Sequence, residues 1–491
     1  MTPSSESHGV FRSSRYNLCI PTEGGALLYN TLRGGVLQGD GTRSRDSMRA
    51  LAQPGVVVSE DAVPPDHLLA LVEGGFLVPD GTDEIAVVKE RYDRARDQAP
   101  IALTVTTTMD CNLGCYYCYE ERTNDRLTIT EDLEPLVNLA REKLRRAGKR
   151  FLHVDWYGGE PLLNQEFMEA ASAGIQAMCR EEGVTYQASI ISNGTRWPSD
   201  VAGFIRRHRV AEVQVTFDGM QANHDKRRHY RAGHRRPEDR SSFEVLVSLV
   251  DQLLECVQVD LRLNIDDGNA ADFVELVHFA RKRGWFERAF PVEIHPARLS
   301  KYSERSAFMR KVELTPEEFA SVRRDIEDAV PETAPVQVQD PFKPDGFSGP
   351  RTTVCAALAT DSAVVGADRN VYRCGLQVGD TKRAVGAVAR KHRLPVLGAD
   401  RDDGAFWEGF DPTTMPRCRH CTFLPLCWSG CPKAHLEGDE QAIREHGDYW
   451  RANLPHLVAA DVGLTLPPDL VFSPSEQFKE GEPVPFGSTT A

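Results

Sequence analysis

The 491-residue chain has no apolar run approaching the roughly 18 residues that a membrane-spanning helix needs. Its N-terminus, MTPSSESHGVFRSSRYNLCI, lacks the apolar core of a secretory signal. Together these absences predict a cytoplasmic protein with no membrane partner. Positive charge is also in deficit, with 58 Lys plus Arg against 72 Asp plus Glu and a formal charge of -14. That argues against a polyanion-binding surface and against nucleic acid as a partner. No solenoid-type repeat is visible. What remains is an ordinary globular mixture, 41% apolar and 26% charged, long enough for roughly two to four domains.

In a reducing compartment the 12 cysteines point to metal ligands or buried thiols rather than to a disulfide framework. Cys111, Cys115 and Cys118 form one tight cluster, and Cys355, Cys374, Cys418, Cys421, Cys427 and Cys431 a looser C-terminal set. Cys19, Cys179 and Cys256 are scattered and read as small buried hydrophobes.

Residues 16 to 78 read as a small module, with YNLCI, GGALLYNTL, a polar stretch, a helix-like DHLLALVEGG and a strand-like GFLVPD. A charged helix near IAVVKERYDRARDQ follows. From there strand patterns (IALTVTT, FLHVDWY, YQASII, EVQVTF, VDLRLNI and PVEIHP) alternate with helical ones. Such alternation predicts an α/β fold, a parallel sheet curled into a full or partial barrel with its chemistry at the strand C-termini. The stretch 331 to 350 holds five prolines and reads as a linker or irregular arm. From about Leu464 the composition predicts a partly disordered tail.

Directly after IALTVTT comes TMDCNLGCYYCYE, which sets Cys111, Cys115 and Cys118 at Cys-x3-Cys-x2-Cys on a loop at a strand C-terminus. A structural zinc takes four protein ligands, whereas a [4Fe-4S] cluster held by three thiolates keeps one iron open; a zinc knuckle is the competing interpretation. Here the sequence resembles the radical S-adenosylmethionine (SAM) superfamily, whose signature includes an aromatic at Tyr117. The resemblance implies that SAM chelates the open iron and is cleaved to a 5'-deoxyadenosyl radical that takes a substrate hydrogen. It also implies that Gly158, Gly159 and Glu160 of GGEP serve the SAM amino group. Ser192 and Asn193, with Gly194 and Thr195, match the Ser/Thr-Asn-Gly segment, and Arg228 matches an arginine that pairs with the SAM carboxylate. Asn264 is a weaker cofactor candidate. The surrounding Lys226, Arg227, Arg231, Arg235, Arg236 and Arg240 read as a solvated loop, or as a hold for an acidic peptide.

The C-terminal pattern Cys-x2-Cys-x5-Cys-x3-Cys in PRCRHCTFLPLCWSGCPKAH resembles the SPASM extension of radical SAM maturases. By that resemblance Cys355, Cys374 and Cys431 belong to a first auxiliary [4Fe-4S] cluster, and Cys418, Cys421 and Cys427 to a second. The sequence departs from the fullest pattern, since no cysteine follows Cys431 and Arg369 stands where a glycine is usual. Asp361, His446 and Asp448 are the nearest substitutes for the missing ligands; otherwise an iron is open or a cluster absent. Tetrathiolate zinc is the competing interpretation of this set.

The N-terminal region resembles the winged-helix-like module with which SPASM peptide maturases bind a leader peptide by strand addition; a packing role is the alternative. The expected architecture is therefore a partial (β/α)6 TIM-type barrel over 99–300, a winged-helix-like module and connecting helix over 1–98, an arm over 301–352, a SPASM domain over 353–450 and a tail over 451–491. The expected function is a radical SAM/SPASM maturase acting on a ribosomally made precursor peptide or protein, reduced by flavodoxin or ferredoxin, and forming a thioether or carbon-carbon crosslink, an epimer or an oxidised product. The nearest alternative is an anaerobic sulfatase-maturating enzyme, disfavoured by Gly375, where that subfamily commonly has an acid. A non-catalytic Fe-S electron carrier is the alternative from another class, and it would need no SAM pocket.

Overall fold

The structure, a computed structural model, describes residues 9–236, 240–302, 304–331, 349–388 and 403–467. Of the arm expected over 301–352, residues 303 and 332–348 lie outside the described residues, as does the part of the expected 451–491 tail beyond 467. Among the described residues no helix is long and apolar enough to cross a membrane. The chain divides into two compact units. One comprises Met1–Ala95, Gln339–Thr353 and Phe410–Ala491, the other Arg96–Val338 and Val354–Gly409.

In the first unit, strands β1 (Val10–Ser13), β2 (Asn17–Pro21), β3 (Gly25–Asn30) and β4 (Val36–Asp40) precede helix α1 (Gly41–Leu51). β5 (Val57–Ser59), α2 (Pro65–Glu73), β6 (Leu77–Pro79) and α3 (Glu84–Gln98) follow. They form two antiparallel sheets, ordered β5-β1-β6 and β2-β3-β4. The stretch that reads as merely polar is α1. It folds as a helix because Met48 and Ala52 share one face and pack with Leu28 and Phe76. The apolar face of β2 and β3, with Leu18, Ile20, Leu27 and Tyr29, shares a core with Phe423, Leu426, Trp450 and Leu454. The last two lie on a long helix, Glu440–Asp461. Thr31 Oγ1 donates to the Thr422 carbonyl at 2.5 Å.

The second unit is built on strands β7 (Ile101–Thr106), β8 (Phe151–Tyr157), β9 (Thr185–Ser192), β10 (Val210–Phe217), β11 (Gln258–Ile265) and β12 (Glu293–Arg298). Each is parallel to the next, in the order β12-β11-β10-β9-β8-β7. Helices α4 (Ile129–Ala147), α5 (Gln165–Glu182), α6 (Val201–His208), α7 (Gln221–Arg227), α8 (Ser242–Leu253) and α9 (Phe273–Lys282) connect them, and α10 (Pro316–Ala329) comes after β12. This is the expected partial barrel. Period-two alternation sorts the side chains: Leu152, Val154 and Trp156 of β8 and Val259, Leu261 and Leu263 of β11 join the main apolar core. The alternate positions, such as His153, Asp155, Asp260 and Asn264, occupy the other face and are polar.

The sequence suggests one domain over 353–450, but the chain divides near residue 409 for two reasons of packing. β13 (Ala363–Val365) adds to the open edge of β7 in parallel, and β14 (Asn370–Tyr372) and β15 (Gly386–Ala387) extend the sheet. That binds Cys355 and Cys374 to the barrel unit, whereas the segment with Cys418 to Cys431 is folded against the N-terminal strands of its own unit.

Candidate functional site

Loops leaving the C-terminal ends of β7 and β8 zip together through their backbones. The Thr107 N–H donates to the Tyr157 carbonyl at 3.0 Å, Gly159 to Thr108 at 3.0 Å and Glu160 to Asp110 at 2.9 Å. This approach is why glycine stands at 158 and 159. A Cβ there would sit 2.3 Å from the Thr108 oxygen and 2.4 Å from that of Asp110, and Gly158 has φ 135°. The Glu160 side chain is 0% exposed and accepts from Ser192 Oγ (3.0 Å), the Asn193 N–H (2.7 Å) and the Leu162 N–H (3.1 Å). Burial pushes its carboxyl up to about 7, against the pull of those donors and of Arg228.

The same construction reaches the first cysteine. Asn193 Nδ2 donates to Asn112 Oδ1 at 2.9 Å and lies 3.6 Å from Cys111 Sγ, while Asn112 Nδ2 donates to Thr195 Oγ1 at 2.8 Å. Arg231 spans Asp110 (2.8 Å) and the Cys111 carbonyl (2.7 Å). Cys111, Cys115 and Cys118 are free thiols. Burial raises all three, Cys118 to about 11, and at Cys111 the neighbouring Cys115 and Glu160 add to it. Three thiols gathered in a low dielectric ionise together only around a cation, so the donor set fits a thiophilic metal centre.

Behind them, strand-end residues form a buried polar network. The Tyr117 hydroxyl donates to Asp218 (2.9 Å) and accepts from Arg228 Nη1 (2.7 Å) and Asn264 Nδ2 (3.2 Å). Tyr117, Arg228 and Asn264 are thus brought together. Arg228 is 7% exposed and its Nε, also buried, has no protein partner. An orphaned guanidinium donor is costly, and it lies close enough to Cys115 to pull that thiol downward. This donor fits the carboxylate of an amino-acid cofactor.

Arg227 contradicts the sequence reading of a solvated loop residue. It is 8% exposed and donates through Nη1 and Nη2 to both oxygens of Asp266 (3.0 and 2.9 Å) and through Nε to Asp218 (3.2 Å). The short helix α7 turns Arg227 toward the two aspartates that follow β10 and β11. Lys226, Arg235, Arg236 and Arg240 are exposed, as that reading expects.

Sequence reasoning places Asp218 in a Ser/Thr-x-Asp-Gly segment at a strand end but gives it no role, and it misses Asp266, although NIDDG ends a predicted strand. It also missed a chain beside the third cysteine: the Tyr119 hydroxyl bonds that of Tyr157, which in turn bonds Glu120, a carboxyl raised by burial.

In the first unit, Cys418, Cys421 and Cys427 are close enough for the first two to raise the Cys427 thiol beyond what burial does. Cys418 Sγ donates to Ser429 Oγ at 3.1 Å. Trp428, Ser429 and Gly430 all have positive φ (43°, 64° and 75°), a strained turn leading to the exposed Cys431. His446 packs against Gly430; its Nε2 is buried without a partner, and burial lowers the ring to about 4. Asp448 pairs with Arg451 (2.7 Å). In the second unit Asp361 is held by Arg146, and Cys355 is exposed and Cys374 half-buried.

Residues 105–280 match the family model described as the radical SAM superfamily. This segment is a radical SAM domain. The chain is 22% identical over 170 residues to the radical SAM cyclopropyl synthase TigE of Paramaledivibacter caminithermalis, covering 31% of this chain and 35% of that protein. It is 29% identical over 155 residues to a serine-type anaerobic sulfatase-maturating enzyme of Klebsiella aerogenes, covering 31% and 36%. It thus spans about a third of these relatives' lengths. The solved structure of native anSMEcpe with bound AdoMet has a TM-score of 0.55 at 15% identity, over 74% of this chain and 99% of that one. The fold is shared across that span.

Proposed function

We propose that the chain is a radical SAM maturase of the SPASM type, acting in the cytoplasm on a ribosomally synthesised peptide or protein. Cys111, Cys115 and Cys118 would hold the [4Fe-4S] cluster. When bound, the cluster and SAM supply a 5'-deoxyadenosyl radical that removes a substrate hydrogen. The observation that carries this reading is the buried, partnerless Arg228 Nε beside Cys115, a donor suited to the SAM carboxylate. Tyr117 and Asn264 orient that guanidinium. Gly158 and Gly159 open the backbone to the SAM amino group. Glu160, besides serving as its negative partner, holds Ser192 and Asn193 in place. Cys355, Cys374, Cys418, Cys421, Cys427 and Cys431 hold auxiliary iron-sulfur, with His446 the substitute ligand best supported by its buried free nitrogen. The outcome on the substrate is a crosslink, an epimer or an oxidised residue, with electrons from a flavodoxin or ferredoxin. The N-terminal sheets receive the leader peptide by strand addition.

Anaerobic reconstitution tests this. The wild type is expected to bind more than one cluster and to make 5'-deoxyadenosine; changing Cys111, Cys115 and Cys118 together to Ala should abolish that product while leaving iron in the rest of the chain. An iron-free triple variant, or one still active, would refute it. Co-expression with a precursor encoded by a neighbouring short reading frame, followed by mass spectrometry, identifies the bond. Sulfatase maturation is the second reading, favoured by the fold shared with anSMEcpe. Conversion of a sulfatase peptide to formylglycine would establish it instead.

A further inference from the structure

At the N-terminal end of the barrel strands, a second polar cluster lies apart from the cysteines. Asp260 is the third residue of β11, whereas Asn264 and Asp266 stand at its other end. At ~3.3 Å per residue that is ~13 Å from Asn264 of the network around Arg228. The parallel register sets Asp260 beside Glu293 on β12, and His295 lies two residues further on the same face. One ligand atom each from Asp260, Glu293 and His295 falls within 4.8 Å of the others. His295 Nε2 is 3.5 Å from Asp260 Oδ1 and 3.6 Å from Glu293 Oε2. Both His295 Nε2 and Asp260 Oδ1 are buried without a hydrogen bond, and Asp260 is only 8% exposed. Glu212 of β10 is paired in register with Gln258, two residues before Asp260 on the same face of β11.

The geometry points to a divalent cation site formed by Asp260, Glu293 and His295, with Glu212 alongside, that ties β10, β11 and the edge strand β12 together. Three carboxylates face one imidazole here, so even a protonated His295 leaves negative charge uncompensated. His153 pairs with Asp155 at 3.1 Å, and Arg262 is turned to Asn264 (3.0 Å). One imidazole among carboxylates suits Mn2+ and similar first-row cations, and poorly suits the thiolate-seeking metals of the cysteine sets. At the strand N-termini such an ion serves the sheet rather than the reaction. The site does not depend on the proposed function.

Mn2+ titration of the cluster-loaded protein after chelator treatment tests it, with free Mn2+ followed by electron paramagnetic resonance and Tm recorded in parallel. The expected result is a single Mn2+ bound per chain with a rise in Tm. His295→Gln and, separately, the milder Glu293→Gln should weaken binding ~10-fold or more and remove the Tm rise, with cluster absorbance unchanged. Absence of Mn2+ binding by the wild type, or equal binding in wild type and both variants, would overturn the site. Since cluster absorbance and 5'-deoxyadenosine formation report the cysteine chemistry separately, failure here is distinguishable from failure of the maturase reading.

Discussion

Arg228 Nη1 donates to the Tyr117 hydroxyl at 2.7 Å while its Nε stays buried and unpartnered. One side of the guanidinium is therefore fixed by the protein and another is left for a ligand. Arg228→Ala should weaken SAM binding by about 30-fold to several thousand-fold, the effect of removing one partner of a buried charge pair. Arg228→Lys should recover only part, because an ammonium lacks the planar fork. Tyr117→Phe removes the hydrogen bond that holds the Arg228 guanidinium, along with those to Asp218 and Asn264, and the first loss should weaken SAM binding by about 1 kcal/mol, roughly fivefold. Isothermal titration of SAM into the cluster-loaded variants decides it; near-native affinity in Arg228→Ala would remove Arg228 from the site.

Arg227, its chain neighbour, has a different part. With two buried carboxylates as partners, Arg227→Ala should destabilise the fold by about 3 to 5 kcal/mol, since Asp218 and Asp266 would be left uncompensated. Arg231 is a third exposed, and Arg231→Ala should cost less than about 1 kcal/mol. Urea unfolding of both variants compares them directly, and equal stabilities would contradict the burial of Arg227.

The barrel strands were legible where apolar residues alternate with period two, as in Leu152, Val154 and Trp156 of β8 or Val259, Leu261 and Leu263 of β11, and the Cys-x3-Cys-x2-Cys site because its ligands are local in the chain. Arg227 was not legible. Its partners Asp218 and Asp266 lie 9 and 39 residues away, and in sequence it sits in a basic run in which Lys226, Arg235, Arg236 and Arg240 are exposed. The cluster of Asp260 and His295 exists only through the pairing register of β11 and β12, and α1 only through the core it covers, since its own composition is polar.

Glu160 gives the cofactor-free protein a pH dependence. Its folded carboxyl titrates near 7 against 4.5 unfolded. The neutral form is favoured in the fold, so the associated stability is fully present below about pH 4.5 and is lost as pH rises through 7. The loss is on the order of 3 kcal/mol for a shift of this size. Unfolding free energies measured between pH 4.5 and 7.5 should fall with a slope that Glu160→Gln lacks; parallel curves would show that another group sets it.

Arg369 holds φ 72°, which a glycine would adopt freely, and its guanidinium bridges both oxygens of buried Asp132 at 2.8 and 3.0 Å. Arg369→Gly relieves backbone strain of about 1 to 2 kcal/mol but strands a buried carboxylate, at about 3 to 5 kcal/mol. The ion pair wins. Net destabilisation of about 1 to 4 kcal/mol is expected, and a more stable glycine variant would show that strain dominates.

Removing residues 1 to 95 tests whether the N-terminal module is separable. Leu18, Ile20, Leu27 and Tyr29 share one core with Phe423, Leu426, Trp450 and Leu454. Arg15 Nη2 donates to the Arg419 carbonyl at 3.1 Å, and the Tyr92 ring meets Trp428 edge-on at 5.2 Å. Burying each such apolar side chain contributes roughly 1.5 to 3 kcal/mol, more in sum than a marginally stable unit can lose. The truncation should therefore unfold the segment bearing Cys418, Cys421 and Cys427 and release its iron, besides losing any leader binding. Point changes on the edge strand β4 are the cleaner probe, because Val36–Asp40 is half-exposed and pairs through one edge with β3. Gln38→Pro should remove a backbone donor from the sheet edge without stripping the shared core. Peptide turnover should fall in this variant while iron content and peptide-independent SAM cleavage hold. Iron loss in Gln38→Pro would show that β4 supports the fold, and unchanged turnover would place the leader elsewhere.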